Sequence, residues 1–269
     1  MSAPEIRELH TMAEFEAVAL LHADIWGTGP AGAPVSAEIM RALSHAGNYV
    51  AGAYEDGRLV GASVAFFAGP VGTCLHSHIT GAVAGRGVGL ALKLHQRQWA
   101  LARGLRRITW TYDPLIRRNA YFNLVKLGAR PEEYLTSFYG AMDDSINGGD
   151  ESDRVLTGWD LTAPPAGAGA TQGCDLPGGA AHGLRDDGGR PVTVATDAEI
   201  VLVALPDDIE ALRRTDPGAA RAWRLALRDT LGGLLAEGAR VVGLHERRHY
   251  VVRRATTPTD PNAEEQTAP

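Results

Sequence analysis

Hydrophobic periodicity predicts two helices at the start of the chain. Thr11 and Glu14 have the spacing of a capping box, and the apolar residues that follow fall on one helical face, so the first helix is predicted to reach about Trp26. A stretch rich in Gly and Pro ends it. Ser36 then stands where it can cap a second, shorter helix that finishes near Gly47.

Runs of β-branched and aromatic residues predict strands next. Segments 49–54 and 59–67 flank Asp56 and Gly57, and Asp-Gly between two such runs is a strong signal for a hairpin turn. A third strand is predicted from Thr73, and it leads into a turn rich in glycine. The pattern therefore predicts an antiparallel hairpin beside a central strand.

A helical stripe follows the glycine turn. Apolar positions recur from Val88 to Ala102, which predicts a helix with Lys93 and Gln96 on its other faces and a stop at Gly104. Segment 107–112 is strand-like, and segment 117–127 has a helical pattern closed by Gly128. Strand and helix thus alternate in this part of the chain.

The second half is less regular. We predict strands at 134–141 and 154–161, and a linker at 162–190, where Gly, Ala and Pro dominate and bulky apolar residues are scarce. Strand-like residues return in 191–205. Asp216 and Pro217 then have the cap and N1 proline of a helix that ends at Gly238.

The chain closes with a predicted hairpin, formed by segments 240–244 and 249–253. We therefore expect a first domain at 1–161, a linker at 162–190, a C-terminal α+β extension at 191–254, and a disordered tail at 255–269. The expected fold class is mixed α/β.

Composition narrows the classes of partner. The chain has 269 residues, 45% of them hydrophobic, with a net charge of -6, so it can fill a core but has no basic cluster of the kind that binds nucleic acid. Its two cysteines, Cys74 and Cys174, are distant and show no zinc or disulfide spacing. It shows neither a run of eighteen apolar residues nor an apolar signal core, so we expect a cytoplasmic protein without membrane contact.

The glycine turn is the main candidate for chemistry. Gly85, Gly87 and Gly89 stand at a helix N-terminus, where free N–H groups and the helix dipole favour an anion such as a phosphate. A P-loop is excluded because Gly89 is not followed by Lys and Ser or Thr. A dinucleotide fingerprint is weak because its third glycine position is Leu92.

A third family fits these residues better. Gly85-Arg86-Gly87-Val88-Gly89 resembles the acyl-CoA-binding motif of the GNAT superfamily of CoA-dependent N-acyltransferases, Arg/Gln-x-x-Gly-x-Gly/Ala, although the first position of that motif is Ala84 here. The segment 113–129, with Arg118-Asn119-Ala120-Tyr121-Phe122 and a closing Leu127-Gly128, resembles the second GNAT signature. The predicted order of helices and strands over about residues 5–140 is also that of a GNAT domain.

The resemblance implies a mixed, mainly antiparallel sheet flanked by helices, with acetyl-CoA or another acyl-CoA as co-substrate. It implies that the pantetheine arm is held by backbone groups near Ile79, Thr80 and Gly81. It further implies that the pyrophosphate is held at the glycine turn and that Asn119 contacts CoA. The residues of the implied cradle are Gly85, Arg86, Gly87, Val88 and Gly89.

Two side chains are candidates for proton transfer. His76 and His78 share one face of a strand, and a histidine titrates near neutrality, so His78, the nearer to the turn, is the candidate base. Many GNAT enzymes protonate the departing thiolate from a Tyr four residues before the closing glycine. That position is Leu124, and Tyr121, one turn earlier, is the nearest substitute. Packing in the sheet or the core is the alternative role for each.

Three further partners are a metal ion, a carboxylate group and a second copy of the chain. A His-x-His pair has no third zinc ligand nearby in sequence, so we expect no metal. Arg117 and Arg118 are candidates for binding a carboxylate on the acceptor or the acyl group. The alternative is that both are solvent-exposed residues at the start of a helix. We leave open whether the chain forms a homodimer.

The resemblance therefore implies an N-acyltransferase that moves an acetyl or succinyl group from CoA to a small-molecule amine, directly in a ternary complex. The subgroup it most resembles, through Trp110-Thr111-x-Asp113-Pro114-Leu115, is linked to N-acylation of amino acids. The alternative is a non-catalytic acyl-CoA-binding regulatory module, because Ala84 and Leu124 depart from the two signatures. A dinucleotide-dependent oxidoreductase ranks third.

Overall fold

A seven-stranded sheet forms the first part of the molecule. The computed structural model describes residues 4–29, 32–83, 87–140, 150–163, 176 and 178–255. The strands are ordered β1-β2-β3-β4-β5-β7-β6, and only the β4–β5 pair is parallel. Their bounds are β1 Glu5–Glu8, β2 Tyr49–Glu55, β3 Arg58–Ala68, β4 Cys74–Ala82, β5 Arg107–Tyr112, β6 Arg130–Leu135 and β7 Arg154–Asp160.

Two helices cover one face of this sheet. Helix α1 (Met12–Trp26) begins with the predicted capping box, in which the Thr11 hydroxyl accepts from the Glu14 N–H and the Glu14 carboxylate accepts from the Thr11 N–H. Helix α2 (Ala37–His45) is capped by Ser36, also as predicted. Phe15, Val18 and Met40 are fully buried beneath them in one cluster with strand residues of β2 and β3.

The opposite face carries the helices that follow β4 and β5. Helix α3 (Val88–Ala102) packs Trp99 and Ala100 against Leu75 and Ile108. Helix α4 (Arg117–Tyr121) continues as a π-helical turn, Phe122–Leu127, and ends at Gly128 in the left-handed conformation. The predicted order of helices and strands is confirmed here, and so is the predicted mixed α/β fold class.

The hairpin between β2 and β3 turns where the sequence predicts. Asp56 and Gly57 both have positive φ, 48° and 75°, and strand pairing resumes directly at Glu55 and Arg58. Two positive φ values suit a tight hairpin turn, because its twist matches that of the flanking strands.

A second sheet forms the C-terminal part. Its strands are ordered β11-β12-β10-β8-β9, with β8 and β10 parallel. The predicted closing hairpin and the Asp216 cap with Pro217 at N1 are confirmed. The bounds are β8 Ala181–Asp187, β9 Arg190–Thr193, β10 Ile200–Ala204, α5 Ile209–Thr215, α6 Pro217–Leu227, a π turn Arg228–Gly232, α7 Gly233–Ala236, β11 Arg240–His245 and β12 His249–Arg253.

Four segments differ from the sequence prediction, and the first is strand β1, because no strand is predicted before the first helix. Strand β8 lies inside the range predicted as linker. It is an inner strand that pairs with β9, directly after it, and with the more distant β10. Pairing with a distant segment leaves no local signal, so the strand was not predicted. Strand β6 begins at Arg130 and ends at Leu135, four residues earlier than predicted at its start, and turns follow it. Helix α5 was not predicted, although Asp208 caps it.

One hydrophobic cluster joins the two sheets. Leu115, Ala120 and Leu124 from the first part pack in the same cluster as Trp223 and Leu227 from helix α6. The C-terminal extension therefore rests on helix α4 and the end of β5. The division of the chain into domains stays a prediction, and the predicted tail after residue 255 and residues 164–175 lie outside the described residues.

The last observations on the fold concern membrane-spanning helices and the two cysteines. None of the described helices is both long enough and apolar enough to span a membrane. Cys74 is a buried free thiol, and Cys174 lies outside the described part of the chain.

Candidate active site

Strands β4 and β5 separate after three residue pairs. The last pair is His76 with Thr109, although β4 continues to Ala82 and β5 to Tyr112. Beyond that pair β4 is bonded only to β3 and β5 only to β7 in the described part of the structure. Backbone groups on the facing edges of the two strands therefore line a cleft, which we call the β4–β5 cleft.

A β-bulge in β4 lies just inside this cleft. Ala65 of β3 pairs with Ser77, and its neighbour Val64 pairs with Ile79, so His78 is the extra residue of the bulge. A bulge re-aims the backbone and side chain at one point of a strand. The predicted base thus occupies the irregular position of the strand that forms one wall of the cleft.

The three predicted backbone contacts lie further along the same wall. Ile79, Thr80 and Gly81 pair with β3 on one edge and have no β5 partner on the other. Gly81 is required there, because a Cβ at this position would lie 2.7 Å from Cζ3 of Trp26 on helix α1. The close approach brings helix α1 directly against the cleft.

Helix α3 is the next described element after β4, and its N-terminus is the second part of the candidate site. Gly87 precedes the helix with φ of 71°, a conformation that favours glycine, and its carbonyl accepts the first helical bond from Ala91. A Cβ at Gly87 or Gly89 would meet no atom within 4 Å. The first-turn amides of Val88 and Gly89 therefore border open space, where an anion fits. Gly85, Arg86 and the preceding Ala84 lie outside the described residues.

The two strand histidines are held neutral. Burial lowers the pKa of His76 to about 4, with further depression from His78 and Lys93, and burial also lowers the pKa of His78. Both rings lie against Phe66, and Nδ1 of His76 is 3.1 Å from Oγ1 of Thr109. A neutral imidazole can accept a proton. No three His, Cys, Asp or Glu side chains of the described residues form a set able to hold a metal ion.

Lys93 is the functional candidate that the sequence prediction missed. The helical pattern places it off the apolar stripe, but its side chain is buried against Ser77 of β4 and Trp110 of β5. Its Nζ donates to Oγ of Ser77 at 2.8 Å and lies 3.9 Å from the ring centroid of Trp110. Gln96, one turn later, is also buried and donates to Oγ of Ser63. The spacing of three residues between Lys93 and Gln96 puts both on the same face of the helix. That spacing is the signal in the sequence from which a buried polar stripe could have been predicted.

The π turn changes which residue faces the cleft from helix α4. The Gly128 N–H bonds to the carbonyl of Asn123, five residues back, rather than to that of Leu124. Leu124 is buried in the cluster shared with the C-terminal extension. Asn123 instead faces the sheet, where its Oδ1 accepts from Nε1 of Trp110 at 3.3 Å. Leu124, the residue four positions before the closing glycine, therefore lies in the shared cluster, and Asn123 is the residue that contacts Trp110.

Tyr121 points into a different region. It lines a pocket of about 400 Å³ between helix α4 and the C-terminal extension, together with Arg117, Arg118 and Glu210. The guanidinium of Arg247 lies 4.0 Å from its ring centroid. The Tyr121 hydroxyl is buried and makes no hydrogen bond to the described residues. No described contact joins Tyr121 to His78, so the structure does not bring the two predicted proton carriers together.

The remaining predicted contacts also lie at helix α4. Asn119 is half-buried in the first turn, where its N–H bonds to the carbonyl of Ile116. Arg117 pairs with Asp207, and Arg118 pairs with Glu210. Both arginines thus bind carboxylates of the C-terminal extension, which accounts for their charge without a substrate.

Comparison with known proteins gives a likeness of fold at low sequence identity. No protein-family model matches the chain, and no curated protein matches its sequence. An N-acetyltransferase from Staphylococcus aureus Mu50 is 17% identical with a TM-score of 0.49, over 60% of this chain and 99% of that one. The aminoglycoside 6'-acetyltransferase type Ii is 18% identical with a TM-score of 0.47, over 60% of this chain and 99% of that one.

A third solved structure is similar to the same degree. The ribosomal-protein-S18-alanine N-acetyltransferase from Escherichia coli is 12% identical with a TM-score of 0.47, over 62% of this chain and 97% of that one. All three likenesses are of chain arrangement, and we draw no activity from them.

Proposed function

We propose that the protein is an acyl-CoA-dependent N-acyltransferase. The observation that carries the proposal is the open edge of strand β4 from the bulge at His78 to Ala82, together with the amides that follow Gly87 at the start of helix α3. A long, flexible thioester with a pyrophosphate at one end matches a groove with strand-edge donors along it and a helix N-terminus at its end.

The residues of the cleft support direct transfer to an amine. Open backbone donors near the bulge can stabilise the oxyanion that forms when the amine attacks the thioester carbonyl. His78 is placed to accept a proton from the attacking amine, and its lowered pKa keeps the imidazole in the accepting form at neutral pH. Helix α1, which contacts Gly81 through Trp26, closes the side from which an acceptor would approach.

The proposal names the acyl group and the acceptor only by chemical class. We propose acetyl or succinyl as the acyl group and a small-molecule amine, including amino acids, as the acceptor. An aminoglycoside and a peptide that begins with alanine complete the test panel, because the names of two similar structures mention those acceptors.

Acceptor-dependent release of CoA thiol tests the function. Purified protein is incubated with acetyl-CoA or succinyl-CoA and each amine of the panel, and free thiol is measured over time. We expect one acceptor class to raise the rate well above hydrolysis. His78→Gln should lower that rate about 100-fold or more, the ordinary contribution of a general base. The matched variant His45→Gln changes an exposed histidine and should leave the rate unchanged.

A non-catalytic acyl-CoA-binding module is the second candidate. It is favoured by Leu124, which the π turn and the C-terminal extension bury away from the cleft. Under this alternative acetyl-CoA binds but no amine raises the rate of thiol release, and His78→Gln has no effect on the residual hydrolysis.

A further inference from the structure

Lys93 carries a buried positive group that no carboxylate neutralises. Only 5% of the residue is exposed, and no Asp or Glu of the described residues lies within ion-pair distance of Nζ. Its described polar contacts are the hydroxyl of Ser77 and the face of Trp110. An unpaired ammonium ion in such a site is costly, so the side chain is poised to give up its proton.

The position of Lys93 within the cleft is the second observation. Ser77 and Trp110 are the first residues of β4 and β5 after the last pair that joins the two strands. Because Nζ contacts both, Lys93 stands at the apex of the β4–β5 cleft, beside the bulge at His78. Its ammonium group thus lies next to Ser77, the residue that precedes the bulge.

Helix α4 supplies no competing proton donor at this place. Leu124 is packed in the core, and Asn123, which faces Trp110, has an amide that does not titrate. Tyr121 lines the pocket beside Arg247 and Glu210 instead. The departing sulfur would therefore have Lys93 as its nearest acid.

We propose that Lys93 is the catalytic acid that protonates the thiolate of CoA as it leaves, an inference that rests on the proposed acyltransferase function. The amine nitrogen forms a bond to the acyl carbon, and the carbon–sulfur bond breaks with its electron pair on sulfur. Nζ gives a proton to that sulfur and becomes a neutral amine. The acceptor loses one proton to His78, which releases it to solvent, and Lys93 regains a proton from solvent, so free CoA thiol and an amide are the products.

The acidity of Lys93 suits this role. Burial lowers its pKa to about 7, so a large share of the side chain carries a transferable proton near neutral pH. Other titratable groups face helix α3 from its neighbouring strands. Tyr49 on β2 bonds to His95, and Glu8 on β1 bonds to Trp99. His76 on β4 contacts Phe66 and Thr109 but is close enough to Lys93 for the lysine to lower the pKa of its imidazole. The variants below separate Lys93 from these groups.

Kinetics of three variants test the role of the side chain. With the best acceptor of the panel, Lys93→Gln should lower kcat about 100-fold or more and leave KM for acetyl-CoA nearly unchanged. The wild-type kcat should fall as pH rises through about 7, since the acid form is then lost, and Lys93→Gln should lack this descending limb. Lys126→Gln replaces the only other lysine and should behave as wild type.

The competing donor is tested in the same series. Tyr121→Phe removes the hydroxyl that the sequence favoured. If Tyr121→Phe loses the rate and the descending limb while Lys93→Gln keeps both, the proposal is overturned in favour of Tyr121.

A spectroscopic readout does not depend on finding the acceptor. The chain has two lysines, so protein with isotope-labelled lysine side chains gives two assignable signals, with Lys126→Gln identifying each. We expect one signal to titrate near pH 7 and to shift when free CoA is added, because its thiol approaches Nζ. The Lys126 signal should stay unchanged when CoA is added.

The outcomes separate this proposal from the function on which it rests. If CoA and acetyl-CoA raise the melting temperature but leave the Lys93 signal unmoved, the role of Lys93 is wrong and the binding function stands. If neither ligand binds the wild-type protein, both are wrong. Binding with a Lys93 response and a lost descending limb in Lys93→Gln supports both.

Discussion

Two regions of the molecule bury charged side chains, and they do so in opposite ways. At the junction with the C-terminal extension, Asp113 is bonded to Arg213 and Arg224, and Asp150 bonds to the same two arginines. Burial alone would raise the pKa of Asp113, but the adjacent guanidinium groups of Arg224 and Arg213 hold it well below its usual range. In the β4–β5 cleft, Lys93 is equally buried but has only neutral contacts.

The difference separates a structural use of charge from a reactive one. A buried charge with well-placed partners keeps its protonation state over the ordinary pH range and holds two segments together. A buried charge with neutral neighbours has a pKa shifted toward neutrality and can exchange its proton. The junction thus fixes helices α5 and α6 on the end of β5, and the cleft a few residues away stays chemically responsive.

Breaking the paired region should have the largest effect. Asp113→Asn removes a buried carboxylate that bonds to both Arg213 and Arg224, so the free energy of unfolding should fall by about 3–5 kcal/mol in urea titrations. The matched variant Asp197→Asn, at an exposed carboxylate, should change it by less than about 0.5 kcal/mol.

The pH dependence of Asp113→Asn sharpens the test. A carboxyl group whose pKa is lowered on folding stabilises the native state above its unfolded pKa of about 3.9 and loses that contribution as pH falls. The difference from wild type should therefore shrink below about pH 4. A loss of stability that stays constant with acid would contradict the assigned pairing.

The unpaired region should respond with the opposite sign. Lys93→Met removes a buried ammonium group, so the free energy of unfolding should rise by about 2 kcal/mol at pH 6. Because the folded pKa of Lys93 lies below the unfolded one, the cost of the lysine is full below about pH 7 and vanishes as pH rises to about 10.5. The gain should disappear over that window. Lys126→Met should show no such pH dependence.

A neutral contact at the junction should matter less than its charges. The Tyr250 hydroxyl donates to the carbonyl of Pro114 at 2.8 Å and lies 3.2 Å from the Tyr112 hydroxyl, all of it buried. Tyr250→Phe should lower the free energy of unfolding by about 1–2 kcal/mol in chemical denaturation. Tyr139→Phe, at an exposed hydroxyl, should cost less than about 0.5 kcal/mol, and equal costs would mean that burial does not set the scale.

An exposed ion pair should have the smallest effect. Arg190 and Asp216 are 2.8 Å apart, with side chains 59% and 42% exposed. Water and salt screen such a pair, so Arg190→Gln should change the free energy of unfolding by less than about 1 kcal/mol, and less still at high salt. A cost similar to that of Asp113→Asn would remove the distinction between the two kinds of pair.

The sequence predicts the local elements of the first sheet well because their signals are local. The capping box of Thr11 and Glu14, the Asp56-Gly57 turn and the Gly128 stop each depend on a few neighbouring residues. Strand β8 could not be predicted in the same way. Its inner position depends on pairing with β10, a distant segment, and its own composition is poor in bulky apolar residues.

The same distinction holds at the candidate site. His78 and the glycines of the turn stand out by residue type. The structure places His78 at the bulge of β4 and Gly87 at the N-cap of helix α3. Lys93 was placed off the apolar stripe because periodicity treats a charged residue as exposed, and only the tertiary structure buries it against Ser77. The π turn, which exchanges Leu124 for Asn123, leaves no pattern in the sequence that simple counting would detect.

Calorimetric titration of the wild-type protein with acetyl-CoA tests the central claim most directly. We expect saturable binding at one site per chain, with no heat from NAD, because the cleft and the amides at Gly87 and Gly89 would hold the pantetheine arm and the pyrophosphate together. Absence of binding by acetyl-CoA and free CoA alike would contradict the assignment of the β4–β5 cleft as an acyl-CoA site.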